Sequence, residues 1–312
     1  MTIALISGAA AKTGLSRQSM MRVASTATHR YKIYQIPKRR GGSRIVAQPA
    51  REVKAIQYAI LDMLASHLPV HECATAYVPK SRLIDNASPH SGCKFLLKFD
   101  FESFFPSIDE HAVVRLLRSR IGERISEAEI RFVVDCCLWL GPGSQRRGLC
   151  IGAPSSPFLS NAVMFDFDQA ISDSASKIDV IYTRYSDDVT FSSSNSNALG
   201  NMENIFRDLC FKIPFPRLQI NESKRVFASR SAALKVTGLT LTNQGGVSVG
   251  RDRKRGVRAG LKHFMKDELD SESLEKLRGE VAFVLSIEPN FRDVLLRTYG
   301  GRVAEMLPKI TK

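Results

Sequence analysis

Residues 30–37, Arg-Tyr-Lys-Ile-Tyr-Gln-Ile-Pro, alternate polar and apolar side chains, and the apolar pattern resumes at Ile45-Val46-Ala47 after Lys38-Arg39-Arg40-Gly41-Gly42-Ser43-Arg44. Period-two alternation broken by paired glycines predicts a β-hairpin with a basic tip. The period then changes: Val53, Ile56, Ile60, Leu61 and Leu64 recur mostly at three- and four-residue steps, which predicts an amphipathic helix over residues 51–68, backing the hairpin. Phe95-Leu96-Leu97-Lys98-Phe99-Asp100 reads as a buried strand that carries Asp100 at its C-terminal end. Helices are expected over residues 110–122 and 127–140. A stiff Gly152-Ala153-Pro154-Ser155-Ser156-Pro157 turn precedes a helix containing Leu159, Val163, Met164, Phe165 and Phe167. Ile181, Thr183 and Tyr185 alternate before Asp187-Asp188, and Val189 and Phe191 alternate after it, so the two carboxylates are expected at the tip of a second hairpin. A helix over 202–211, a hairpin over 234–250 turning at Asn243-Gln244-Gly245-Gly246, and three helices from 251, broken near Ser271 and at Pro289, complete the pattern. Residues 1–28, rich in Ala, Ser, Thr and Met, are expected to be partly helical.

Charge adds a partner to this picture. The 312 residues hold 45 Lys+Arg against 31 Asp+Glu, a formal charge of +14. Residues 1–54 contain eleven Lys+Arg and one acid, and residues 251–266 seven and one, while the middle is nearly neutral. Two basic lobes around an acidic centre fit a polyanion bound at both ends and processed between them. The six cysteines, two of them adjacent at 136 and 137, form no Cys-x-x-Cys pair, so neither a disulfide scaffold nor a zinc site is indicated. No secretory leader and no apolar run of about 18 residues is visible, so a reduced cytoplasm and no membrane are expected. The Asn-x-Ser strings at Asn86 and Asn221 are accordingly not expected to carry glycans.

The acids carry the chemistry. Adjacent carboxylates flanked by apolar strands repel one another and call for a cation. Mg²⁺ takes hard oxygen ligands and keeps substrate phosphates in its shell, so Asp100, Asp187 and Asp188 converging would indicate phosphoryl transfer. A Tyr-x-Asp-Asp string alone is weak evidence, since Asp is a common turn residue. Its place between two alternating runs and downstream of an Asp-ended strand strengthens it.

In order, the chain has a basic hairpin, an Asp at a strand end, Gly-Ala-Pro-Ser-Ser-Pro, Tyr185-Ser186-Asp187-Asp188, and Lys224 after Asn221. Over residues 30–250 this series resembles the reverse transcriptases. The resemblance implies that Asp100, Asp187 and Asp188 are catalytic and hold two Mg²⁺ ions, with Mn²⁺ as the substitute and the Phe101 carbonyl completing a shell. It implies that Lys38 and Arg44 hold the triphosphate, that Lys224 protonates pyrophosphate, and that Phe105 excludes a ribose 2′-OH. The family usually has Gln before the Gly-Ala-Pro turn, where this chain has Ile151, which puts in doubt a polar contact to the nucleotide.

Asn86-Ala87-Ser88-Pro89-His90 and Val236-Thr237-Gly238 resemble elements of retron reverse transcriptases, so Asn86, His90, Thr237 and Gly238 are expected at the nucleic acid, along with Arg253, Lys254, Arg255, Arg258 and Lys262 of a basic thumb helix. The implied fold is α+β, a right hand with fingers, an antiparallel palm and a helical thumb. The expected divisions are an N-terminal helical segment at 1–28, fingers at 29–98, palm at 99–112, fingers and palm helices at 113–148, palm at 149–250 and thumb at 251–312. The implied function is RNA-directed DNA synthesis from dNTPs, with a structured noncoding RNA as template and 2′-OH primer. The product would be branched RNA–DNA, multicopy single-stranded DNA, made in phage defence with an accessory effector from the same locus. The alternatives are a group II intron, diversity-generating or abortive-infection enzyme, or a noncatalytic RNA-binding scaffold of the same fold.

Overall fold

The computed structural model describes residues 3–38 and 41–308, so Arg39 and Arg40 of the basic turn lie outside the described residues. In chain order the elements are α1 (Leu5–Thr13), α2 (Arg17–Ser25), β1 (Tyr31–Pro37), β2 (Ser43–Pro49), α3 (Arg51–Leu64), α4 (Leu83–Ala87), β3 (Phe95–Asp100), α5 (Phe104–Ser107), α6 (Glu110–Ile121) and α7 (Glu127–Cys137). There follow β4 (Trp139–Leu140), β5 (Arg147–Gly148), α8 (Ser155–Val163), α9 (Phe165–Ser176), β6 (Ile181–Tyr185), β7 (Asp188–Ser193), α10 (Ser196–Lys212), β8 (Val226–Ser229), β9 (Lys235–Val236), β10 (Leu239–Leu241), β11 (Val247–Ser248), α11 (Arg251–Met265), α12 (Ser271–Ile287) and α13 (Phe291–Tyr299). The mixture of helices and antiparallel ladders is the expected α+β class.

Two compact units emerge. The first comprises residues 1–81 and 97–226. In it β1 and β2 form the predicted hairpin, with Tyr31 opposite Pro49 and Pro37 opposite Ser43. Strands β6, β7 and β3 lie side by side in that order. Beneath them Phe99 stacks on Phe206 at 4.7 Å, and Phe101 packs on Phe104 at 5.9 Å and on Phe206 at 5.8 Å. Each such buried ring contributes about 1.5–3 kcal/mol, so the strands bearing the acids rest on a firm floor. Side-chain caps start α6 and α7, Asp109 accepting from the Ala112 N–H and Ser126 from the Glu129 N–H.

Several helices differ in extent from the sequence pattern, and the one expected over 51–68 ends at Leu64. The helix expected over 127–140 ends at Cys137, because Trp139-Leu140 pairs with Arg147-Gly148 and the Trp139 ring packs against Tyr31 at 6.1 Å. Ladder and ring contacts outweigh the helical period there. The helix after the Gly-Ala-Pro turn is divided at Met164, and the one expected over 202–211 begins earlier, at Ser196, capped by Asn195.

The second unit comprises residues 82–96 and 227–312. Its core joins Ala87, Cys93 and Leu96 to Val236, Leu239, Leu241, Val257, Leu261, Val281, Val284 and Leu295. The Arg230 guanidinium fastens the loop before β3, donating to the Ser91 and Cys93 carbonyls and, at 2.7 Å, to the Thr242 carbonyl. Among the described residues no helix is long and apolar enough to cross a membrane.

Candidate active site

Strand β3 ends on Asp100, which is 6% exposed. Strands β6 and β7 are joined by the two-residue loop Ser186-Asp187, with Tyr185 paired to Asp188. Such tight loops take positive φ at their first residue, and Ser186 adopts +60°. Asp187 thus sits in the loop and Asp188 opens β7. The Phe101 N–H donates to the Asp187 carbonyl at 3.1 Å, which sets the end of β3 beside the loop. On the other flank the Asn221 N–H donates to the Asp100 carbonyl at 2.8 Å and Glu102 N–H to the Gln219 carbonyl at 2.8 Å. Those bonds bring up Lys224, whose Nζ donates to Asp100 Oδ2 at 2.6 Å.

The electrostatics are those of acids short of a counter-ion. Burial raises the Asp187 pKa, the Asp100 charge adds to it, and Lys224 pulls back. Burial pushes Asp188 up to about 6, Lys98 opposes, and Asp187 and Asp100 add to the rise. With Lys224 on Asp100, no three His, Cys, Asp or Glu side chains among the described residues are arranged as a ready-made ion site. The cation contacting Asp100 is the Lys224 ammonium. The donor set is oxygen only, which suits a hard divalent ion and not zinc.

Beneath the loop lies a charged centre that the sequence pattern missed. Arg184 is fully buried; its Nε donates to Asp168 Oδ1 at 2.8 Å, Nη2 to Asp168 Oδ2 at 2.6 Å, and Nη1 to Asn161 Oδ1 at 3.2 Å and the Ser186 carbonyl at 3.0 Å. The Tyr182 hydroxyl donates to Asp168 Oδ1 at 2.7 Å. Burial alone would lower the Arg184 pKa, and the Asp168 carboxylate overrides it, holding the guanidinium charged. The backbone of Arg184 extends the grip, its N–H donating to the Cys73 carbonyl at 2.8 Å and its carbonyl accepting from the Thr75 N–H at 2.9 Å. The available signal was Arg184, the one charge in the Ile181–Tyr185 strand, at a position a one-sided hairpin would expose.

The remaining predicted residues fall into separate places. Phe105, on α5, is half-buried, its ring 5.6 Å from Phe104 and 6.4 Å from Tyr77. Lys38 and Arg44 are exposed at the turn of the β1–β2 hairpin, where the Lys38 N–H donates to the Gly42 carbonyl at 3.0 Å. That hairpin is tied to the Gly-Ala-Pro turn through Ile151, whose carbonyl accepts from the Ala47 N–H at 2.8 Å. Gly152 is required beside it, at φ +111°, since a Cβ there would come within 2.8 Å of the Ala47 carbonyl oxygen. Ile151 therefore contributes through its backbone.

In the second unit the two short elements meet. Asn86 and His90 are 1% and 0% exposed, and Asn86 Nδ2 donates to Thr237 Oγ1 at 3.5 Å. Thr237 and Gly238, at φ +46° and +83°, form the two-residue turn between β9 and β10, where both central residues need positive φ. On α11, Arg253 turns to Glu280 at 3.2 Å and covers the Phe283 ring, Lys254 pairs with Glu288 at 2.9 Å, and Arg258 lies over Phe291. Arg251, Arg255, Arg258 and Lys262 are exposed at steps of three and four residues, a basic stripe along the helix.

Comparison with known proteins matches residues 36–241 to the family described as "Reverse transcriptase (RNA-dependent DNA polymerase)". The chain is 37% identical over 289 residues to the Retron Ec83 reverse transcriptase of Escherichia coli, covering 92% of each protein. It is 31% identical to the Retron Ec86 reverse transcriptase of Escherichia coli, covering 88% of this chain and 82% of that one. Among solved structures, apo telomerase from Candida tropicalis superposes with a TM-score of 0.52 at 15% identity, over 88% of this chain and 59% of that chain. The same telomerase with a fragment of telomeric RNA gives 0.52 at 16% identity, and this chain spans little over half its length, 54%. These likenesses show the right-hand polymerase fold.

Proposed function

The chain belongs to the reverse transcriptase family and, within it, to the retron enzymes, and from that premise we propose that Asp100, Asp187 and Asp188 are its catalytic acids. It is an RNA-directed DNA polymerase, a class that uses divalent metal ions. The observation that carries the proposal is the convergence of Asp100, the Asp187-Asp188 loop and Lys224 through backbone bonds from Phe101 and Asn221. Asp100, Asp187 and Asp188, with the Phe101 carbonyl, would hold two Mg²⁺ ions, Mn²⁺ substituting. Bound there, such ions would lower the pKa of the primer hydroxyl and neutralise charge on the departing pyrophosphate. Lys224, half exposed and paired to Asp100, would leave that carboxylate free to hold a metal ion and would supply a proton to pyrophosphate. Phe105 closes the space a ribose 2′-OH needs, and Lys38 and Arg44 grip the triphosphate.

The template and primer in this reading are one structured noncoding RNA, with synthesis begun at an internal 2′-OH to give a branched RNA–DNA product. The α11 stripe meets RNA phosphates, and the joined Asn86–His90 and Val236–Gly238 elements shape the adjoining surface rather than reach bases directly, given how deeply Asn86 and His90 are buried. The fingers, palm and thumb divisions expected from the sequence, a cytoplasmic site of action, and service in phage defence with an effector from the same locus belong to the same proposal. Total nucleic acid from cells expressing the native locus tests it. A small DNA that shifts with ribonuclease yet keeps one resistant ribonucleotide branch is expected; linear DNA with an unblocked 5′ end would contradict the branched product.

A further inference from the structure

Tyr77 is an exposed aromatic residue whose backbone lies in the left-handed region, at φ +63°, a conformation that side chains other than glycine rarely adopt. Its neighbours impose it. The Thr75 N–H is bonded to the Arg184 carbonyl at 2.9 Å, and Asn161 Nδ2 donates to the Ala76 carbonyl at 2.7 Å, so the segment is pinned to the buried charged centre just before Tyr77. The ring that results is 50% exposed, stands 6.4 Å from the Phe105 ring at an angle of 48°, and places its hydroxyl 3.3 Å from Ser186 Oγ as donor. It therefore touches both the ring assigned to sugar exclusion and the loop bearing Asp187. Packing of the core does not account for a strained backbone that leaves half an aromatic residue in water; strain of this kind collects where a ligand is gripped.

We propose that Tyr77 is a nucleotide-selecting residue: its ring joins Phe105 in a two-ring wall against the sugar and base of the incoming deoxynucleotide. The inference rests on the polymerase reading above. An aromatic face stacks on any base, so the contact rewards a properly seated nucleotide without reading its identity. The hydroxyl bond to Ser186 makes the position of the ring and the position of the Asp187 loop depend on each other.

Single-nucleotide extension on an RNA template tests this with Tyr77→Asn and Tyr77→Phe, each also followed by thermal melting. Asn tolerates the left-handed backbone, so Tyr77→Asn removes the ring without added strain. It should raise KM for dNTP about tenfold while kcat stays within about threefold, as expected for a lost stacking contact. Tyr77→Phe keeps the ring and should keep KM within about twofold of wild type. An unmoved KM in Tyr77→Asn, or a loss of kcat in both variants that tracks a lowered melting temperature, overturns the proposal. Wild-type protein that makes no DNA overturns the polymerase reading itself, so the two failures are told apart.

Discussion

Replacing Asp168 by Ala should destabilise the first unit more than any change to the catalytic acids. Arg184 keeps its charge at all working pH values, so Asp168→Ala removes two charge-assisted bonds, at 2.6 and 2.8 Å, and strands a guanidinium that is 0% exposed. The Tyr182 hydroxyl loses its acceptor as well. Breaking one partner of a buried pair costs about 3–5 kcal/mol, a fifth or more of a typical total stability of about 5–15 kcal/mol. The single tryptophan, Trp139, lies in the first unit and reports its unfolding by fluorescence. With a urea dependence of about 1–3 kcal/mol per molar, the midpoint should fall by about 2 M. The double variant Asp168→Leu with Arg184→Met replaces the pair by apolar side chains and should regain much of the loss, since a buried pair and its apolar substitute are often close in stability. Polymerase activity should not return with it, because the Ser186 carbonyl has lost Arg184. A loss below about 1 kcal/mol in Asp168→Ala would refute the reasoning.

Phe105→Ala should admit ribonucleotides, and a dNTP/rNTP ratio equal to wild type in competitive extension would remove Phe105 from sugar exclusion. Without divalent ions, stability should fall as pH rises from about 4 to 6, because the folded protein binds the Asp188 proton more tightly than the unfolded chain does, and the favourable protonated state is lost as pH passes through the folded value of about 6; Mg²⁺ should flatten that slope in chelator-controlled melts, and a slope absent from the metal-free protein would count against the coupled acids. Changing Arg255, Arg258 and Lys262 together to Gln should lower the slope of log affinity against log salt for the cognate RNA by about 2–3, at roughly 0.7–0.9 per phosphate contact, whereas an unchanged slope in filter binding would place the RNA elsewhere.

What the sequence made legible was periodic or punctuated. The β1–β2 hairpin, the strand ending at Asp100 and the hairpin bearing Asp187 and Asp188 all follow from alternation and turn residues, because side chains on one face of a strand recur every second position. The three C-terminal helices follow from apolar spacing and from Pro289. Hidden were the features that depend on both faces being covered. Tyr182 and Arg184 share a face of β6 that alternation assigns to solvent, yet α9 brings Asp168 against it, so a charge that reads as exposed is the most buried cation in the site. Tyr77 was hidden for a different reason: its left-handed backbone is imposed by Arg184 and Asn161, more than eighty residues downstream in the chain, and no local pattern announces it. Ile151 departs from the family pattern in its side chain alone; its carbonyl, bonded to the Ala47 N–H, is the part that organises the turn.

The central claim is that Asp100, Asp187 and Asp188 make this chain an RNA-templated DNA polymerase. Its most direct test is primer extension from dNTPs and Mg²⁺ on an RNA template by wild type and by the double variant Asp187→Asn, Asp188→Asn, with RNA binding measured on the same preparations. Removing the charges that would hold the metal should reduce DNA product at least about a thousandfold while RNA affinity stays within about threefold, since phosphate contacts by Lys and Arg carry binding. DNA product undiminished in the double variant would contradict the account.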